Sequence, residues 1–97
     1  MRHIYLALGS TDMRKSMDGL AVLVKESFSL DPFSNALFVF CNRNRDKRKI
    51  LYWENNGFWL NYRRLERGKF QWLDHMTDQT MHVTKRPLRW LLEEPAL

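Results

Sequence analysis

Residues 43–69 carry nine cations: Arg43, Arg45, Lys47, Arg48, Lys49, Arg63, Arg64, Arg67 and Lys69. Only Asp46, Glu54 and Glu66 oppose them, which leaves +6 in a chain whose formal net charge is +5. The remaining residues carry seven cations against eight carboxylates, so the whole positive excess lies in one window. Fixed cations at that density attract polyanions, above all phosphate backbones, because each phosphate contact releases condensed counterions. DNA is therefore the expected partner of this window. Tyr52, Trp59 and Tyr62 fall among the cations and offer rings for stacking or packing. The same residues admit two plainer uses. The cations can simply keep a sheet end solvated, and Tyr52 and Trp59 can face a protein partner. No helix-turn-helix, zinc or ribonucleoprotein-type motif decides among these readings.

Catalytic chemistry finds less footing. His75 and His82 are seven residues apart with no neighbouring cysteine, which is not a zinc-site pattern. Cys41 sits inside an apolar run, where burial raises a thiol pKa and favours a structural thiol over a nucleophile. His3, Ser10 and Asp12 are close in sequence, but nothing orients them as a triad. "GSTDMRKSMDGL" holds two glycines without the spacing of a phosphate-binding loop. Asp12, Asp18, Asp31 and Asp46 follow no metal-binding spacing. The sequence thus assigns no catalytic residue, no metal ligand and no cofactor. A metal-dependent nuclease using Asp12 is a remote alternative.

The elements that must position the basic window follow from periodicity. "HIYLAL" (3–8) alternates, with Ile4, Leu6 and Leu8 on one face and Tyr5 and Ala7 on the other, so it reads as a strand. Ser10, Thr11 or Asp12 then supplies helix-start chemistry. Met13, Met17, Leu20, Ala21, Val24 and Phe28 make one apolar stripe, predicting an amphipathic helix over about 13–28. Gly19 within it hints at close packing. Pro32 marks a loop, and "ALFVFC" (36–41) reads as a strand covered on both faces.

The basic run "NRNRDK" leads into the strand "KILYWE", a turn at Asn56–Gly57, the strand "FWLNYRRL", a second turn at "ERGK" and a short strand "FQW". A two-residue turn at Asn56–Gly57 sets Trp53 opposite Leu60, Leu51 opposite Tyr62 and Lys49 opposite Arg64. On the other face it sets Glu54 opposite Trp59, Tyr52 opposite Asn61 and Ile50 opposite Arg63. In that register Arg63 and Arg64 join the 43–49 cations at one sheet end. "TMHV" reads as a last strand. A terminal helix follows at about 85–93, capped by Thr84, with Pro87 in its first turn and Leu88, Leu91 and Leu92 toward the sheet.

Ninety-seven residues suit one domain, 1–97, with a single core. The expected fold class is α+β: an antiparallel sheet of four to six strands in a hairpin meander, one amphipathic helix on a face and a short C-terminal helix. One cysteine permits no intrachain disulfide and suits a reducing cytoplasm. No apolar run approaches the roughly 20 residues of a membrane span, so the expectation is a cytoplasmic protein without a membrane partner.

Three stretches in this order and spacing resemble one family: "GSTDMRKSMDGL", "DPFSNALFVFCNR" and "KILYWENNGFWLNYRRLERGKFQW". They are similar to the small TnpB-type accessory proteins, products of the second open reading frame, of bacterial insertion-sequence family sixty-six. This is not the RNA-guided nuclease that shares the TnpB name. The motif residues are Thr11, Asp12, Met13, Arg14 and Lys15, then Asp31, Pro32 and Phe33, then Trp53, Gly57, Arg64, Leu65, Glu66 and Gly68. The resemblance implies a non-enzymatic accessory protein that supports DNA transposition beside a separate large transposase and another small protein. It brings no catalytic assignment. The tail departs from the family pattern at Leu73, where proline is usual, and at Pro87 and Glu94–Pro95. Two function classes follow: DNA contact through the basic sheet end, or an adaptor that binds the transposase through Tyr52 and Trp59.

Overall fold

A computed structural model describes residues 3–74 and 78–83. Their five strands are β1 (His3–Ala7), β2 (Ala36–Cys41), β3 (Lys47–Glu54), β4 (Gly57–Arg64) and β5 (Thr80–Val83), in one sheet of order β4-β3-β2-β1-β5. The helix α1 (Met17–Val22) continues as a π-helical segment, Leu23–Ser27. The predicted terminal helix at 85–93 lies outside the described residues.

The sheet is mixed, which corrects the all-antiparallel expectation. β1 pairs with β2 in parallel, Ile4 beside Leu37 and Leu6 beside Val39. The other three pairings are antiparallel. The cause is the connection: β1 reaches β2 through a crossover containing α1, and such a crossover delivers a parallel neighbour where a short turn delivers an antiparallel one. "TMHV" forms a strand as expected, but it pairs with β1, with Tyr5 opposite His82. There His82 meets His3, with ring nitrogens 3.2 Å apart. "FQW" is not a strand. Phe70 is buried beside Cys41 and Leu65, and Trp72 donates its indole N–H to the Ala7 carbonyl at 3.1 Å. Both aromatics cover the sheet rather than extend it.

Strand alternation divides the core as the sequence predicts. Tyr5, Ala7, Ala36, Phe38, Phe40 and Leu51 face α1, whose Leu20 and Val24 have no exposed surface. Ile4, Leu6, Val39 and Val83 form the opposite cluster, joined by Leu8, Leu37, Ile50 and Trp72. Burying a large apolar side chain contributes about 1.5–3 kcal/mol, so a strand apolar on both faces is held from both sides.

The helical stripe is right in phase and wrong at its start. Ser16 is the N-cap, its hydroxyl accepting from the Gly19 amide at 3.2 Å, while Met13 and Arg14 stay in a turn. The reason is Asp12: its carboxylate accepts from the Arg14 amide at 2.9 Å and pairs with the Arg14 guanidinium at 2.8 Å, closing a local turn that competes with helix. A Cβ on Gly19 would meet nothing closer than 3.6 Å, so close packing does not require glycine there.

Candidate nucleic-acid interface

The basic end of the sheet is built by two turns tied to each other. In the β2–β3 connection, Asn42 Oδ1 accepts from the amides of Asp46 and Lys47 at 3.0 and 2.9 Å, and its Nδ2 donates to Asp46 Oδ1. Asn42 is a residue that the sequence reading passed over, although asparagine in a polar cluster is a turn signal. The turn after β4 is stitched to this one. The Leu65 amide donates to the Asp46 carbonyl at 2.8 Å and the Phe70 amide to the Arg45 carbonyl at 2.7 Å. Lys69 Nζ reaches the Asn44 carbonyl at 2.7 Å.

The β3–β4 ladder completes the convergence in a corrected register. Lys47 lies opposite Arg64, Arg48 opposite Arg63, Lys49 opposite Tyr62 and Leu51 opposite Leu60. The turn is Asn55–Asn56, one residue earlier than predicted, so every pairing shifts by two. Asn55 takes the positive φ, 59°, and Gly57 begins β4 without one. Asparagine reaches the left-handed region more readily than most residues. The shift also sets Leu51 against Leu60 and Trp53 against Phe58, apolar pairs that stabilise a ladder directly. A two-residue shift preserves faces, so Arg63 and Arg64 still arrive beside the β2–β3 turn.

The nine cations do not share one role. Arg45, held at φ 62°, donates to the Gly9 carbonyl at 2.8 Å and pairs with Asp74 at 2.7 Å, leaving its side chain 19% exposed. Lys49 Nζ donates to the carbonyls of Met13 and Lys15 at 2.7 and 3.0 Å and lies over the Tyr62 ring. Arg48 is buried, its guanidinium over Phe70; burial, then Arg63 nearby, pulls its pKa down. Arg43, Arg63, Arg64, Arg67 and Lys69 are exposed, and Lys47 is half-buried. Arg64 pairs with Glu66 at 2.7 Å in the open. Such a pair is worth about 0–1 kcal/mol, so a phosphate can compete for the guanidinium.

Aromatic surface lies on the neighbouring part of the hairpin. Tyr52 and Trp59 are directly opposite and stacked, with centroids 6.3 Å apart at 17°, and Trp59 is 57% exposed. Cys41 is buried, and desolvation pushes its thiol pKa up despite Arg45 beside it. Among the described residues no three His, Cys, Asp or Glu side chains gather where they could hold a metal ion. Asp12, which the nuclease alternative needs, is paired with Arg14 instead. His75 lies outside the described residues. No described helix is long and apolar enough to cross a membrane.

Comparison with known proteins places the chain. Two Sinorhizobium fredii (strain NBRC 101917 / NGR234) proteins are similar to it. Uncharacterized protein y4hO is 38% identical over 69 residues, covering 71% of this chain and 60% of the relative. Uncharacterized protein y4jC is 36% identical over 67 residues, covering 69% and 57%. The match thus spans less than two thirds of either relative. No solved structure matches the chain significantly. The family described as IS66 Orf2 like protein matches residues 2–96, including the tail beyond the three quoted stretches. That coverage shows that the chain belongs to the IS66 Orf2-like family, accessory proteins associated with insertion sequences.

Proposed function

We propose that this protein supports transposition of an insertion element by holding DNA at the basic end of its sheet. The observation that carries the reading is the stitching of the 42–46 and 65–70 turns. It gathers Arg43, Lys47, Arg63, Arg64, Arg67 and Lys69 from three chain segments onto one end. Cations carried on stitched turns suit a backbone of phosphates, and they contribute affinity without reading bases. The contact is non-enzymatic, with chemistry left to the element's transposase. Salt titration of duplex binding tests it. The triple variant Arg63→Gln/Arg64→Gln/Arg67→Gln should lower the slope of log K against log salt by about 2.7, at about 0.9 per phosphate contact. Absence of binding by the unaltered protein at low salt overturns the reading.

A second reading rests on exposed Trp59 stacked on half-buried Tyr52, which suits a hydrophobic anchor for the transposase. It expects co-purification that survives high salt and fails on Trp59→Ala.

A further inference from the structure

Behind the outer rim of cations, residues 10–14 face residues 42–47 across an open cleft of about 400 Å³. Its lining includes Ser10, Thr11, Arg14, Arg43, Asn44 and Lys47. Some thirty residues separate the two walls in sequence, and the β1–β2 pairing brings them together. Three cations and one carboxylate, Asp12, face this space. The carboxylate is already engaged by Arg14 through Nε at 3.1 Å and Nη2 at 2.8 Å.

Both walls are fixed before any ligand arrives. The Thr11 amide donates to the Cys41 carbonyl at 2.8 Å. Arg45 holds the Gly9 carbonyl, and Lys49 holds those of Met13 and Lys15. On the other side Asn42 fixes the amides of Asp46 and Lys47. Backbone clamped in this way need not be ordered on binding, which leaves only side chains such as Arg14 and Arg43 to be immobilised. The volume lies at the lower end of small-ligand sites, about 300–1,000 Å³. Met13 is the sole large apolar residue among the described lining residues, so these offer charge and short polar groups but little for a base or an apolar ligand. It also opens onto the same end as Arg43 and Lys47, where the DNA contact is placed.

We infer that this cleft seats a backbone phosphate of DNA, with Arg14, Arg43 and Lys47 supplying the charge. The inference rests on the DNA-contact reading and extends it to the "TDMRK" stretch. Asp12 acts as a positioning residue that aims the Arg14 guanidinium across the opening.

The test uses the full chain, ¹⁵N-labelled, titrated separately with inorganic phosphate, random-sequence duplex DNA and polyglutamate. Phosphate and duplex should both shift the amides of 10–14 and 42–47. The double variant Arg14→Gln/Arg43→Gln, at two exposed positions, should lower the salt slope of duplex binding by about 0.9, the share of the one phosphate that the cleft seats. Arg14→Lys/Arg43→Lys should restore it, and amide positions outside 10–14 and 42–47 should match the unaltered protein, which shows the fold intact. If duplex binds the Gln variant with an unchanged slope and its shifts stay within 63–70, the cleft inference fails while the DNA reading stands. If nothing binds duplex but phosphate still shifts the cleft amides, the DNA reading and this inference fall together, leaving a small-anion site. Shifts with polyglutamate and none with duplex overturn the inference in favour of an acidic protein segment.

Discussion

Arg45 and Lys49 direct their charge at backbone carbonyls, and in doing so they build the surface that their neighbours present. Lys49→Met keeps the aliphatic stem and removes the ammonium, leaving the Met13 and Lys15 carbonyls without that donor. A charged hydrogen bond of this kind is worth about 1.5–3 kcal/mol. Urea denaturation should show a loss toward the lower end of that range, and hydrogen exchange should accelerate over residues 10–16. Neutralising the whole 43–49 run would therefore mix loss of charge with loss of shape. The sequence showed nine cations but not this division, because it depends on where the carbonyls of residues 9–15 fall after folding.

Asp12 offers a sharper check at the same scale. The Arg14 side chain, and then its amide, lower the Asp12 pKa from 3.8 to about 2. Its folded value lies below its unfolded one, so the associated stability is present above about pH 4. It is lost as pH falls through about 2. Carboxyl NMR should give a midpoint near 2, and Arg14→Ala should return it most of the way to 3.8. An unshifted midpoint in the unaltered protein would show that the ion pair does not persist in solution.

Among the elements, the hairpin shows what patterning determines and what it leaves open. Alternation placed Leu51, Trp53 and Leu60 on one face and Tyr52, Trp59 and Arg63 on the other, and both sets hold. The register did not hold, because glycine after asparagine favours one two-residue turn while the Asn55–Asn56 pair permits another with better apolar matching. The structure makes opposite demands at the two positions. Asn55→Val should cost about 1–2 kcal/mol by forcing a β-branched residue to positive φ. Gly57→Ala, with no atom within 4 Å of the new Cβ, should change stability by less than about 0.5 kcal/mol. Chemical denaturation of the two variants measures both, and the reverse ranking would restore the Asn56–Gly57 turn. The helix was legible in the same partial way. Its stripe from Met17 to Phe28 was visible, but the Asp12–Arg14 turn that delays its start to Ser16 was not, since Ser10, Thr11 and Asp12 are all good caps.

For the whole molecule, stability depends on a sheet buried on both faces at its centre. Phe38 is fully buried on β2, facing α1 and stacked on Tyr5 with centroids 5.8 Å apart. Phe38→Ala should cost about 3–5 kcal/mol, a large share of the about 5–15 kcal/mol that holds a domain together. Urea denaturation reads it directly, and a loss below about 1 kcal/mol would mean that the cluster facing α1 is not the main core. The core of β1, β2 and α1 was legible from apolar runs, whereas Leu65 and Phe70, buried beyond the end of β4, were not. The strand order was not: neither the parallel pairing of β1 with β2 nor the partner of β5 leaves a local trace, since each depends on a long connection.

That strand order also constrains synthesis. β2, β3 and β4 are neighbours in the chain and in the sheet, so they can pair as soon as they emerge. β1 is made before them, yet its two partners are β2 and β5, and the β5 contact joins residues as far apart as Ile4 and Val83. Contacts that close long loops form late. During translation, therefore, β1 keeps one open edge until β5 arrives. A message cut short before residue 80 releases a chain with that edge uncovered, and such edges recruit other chains.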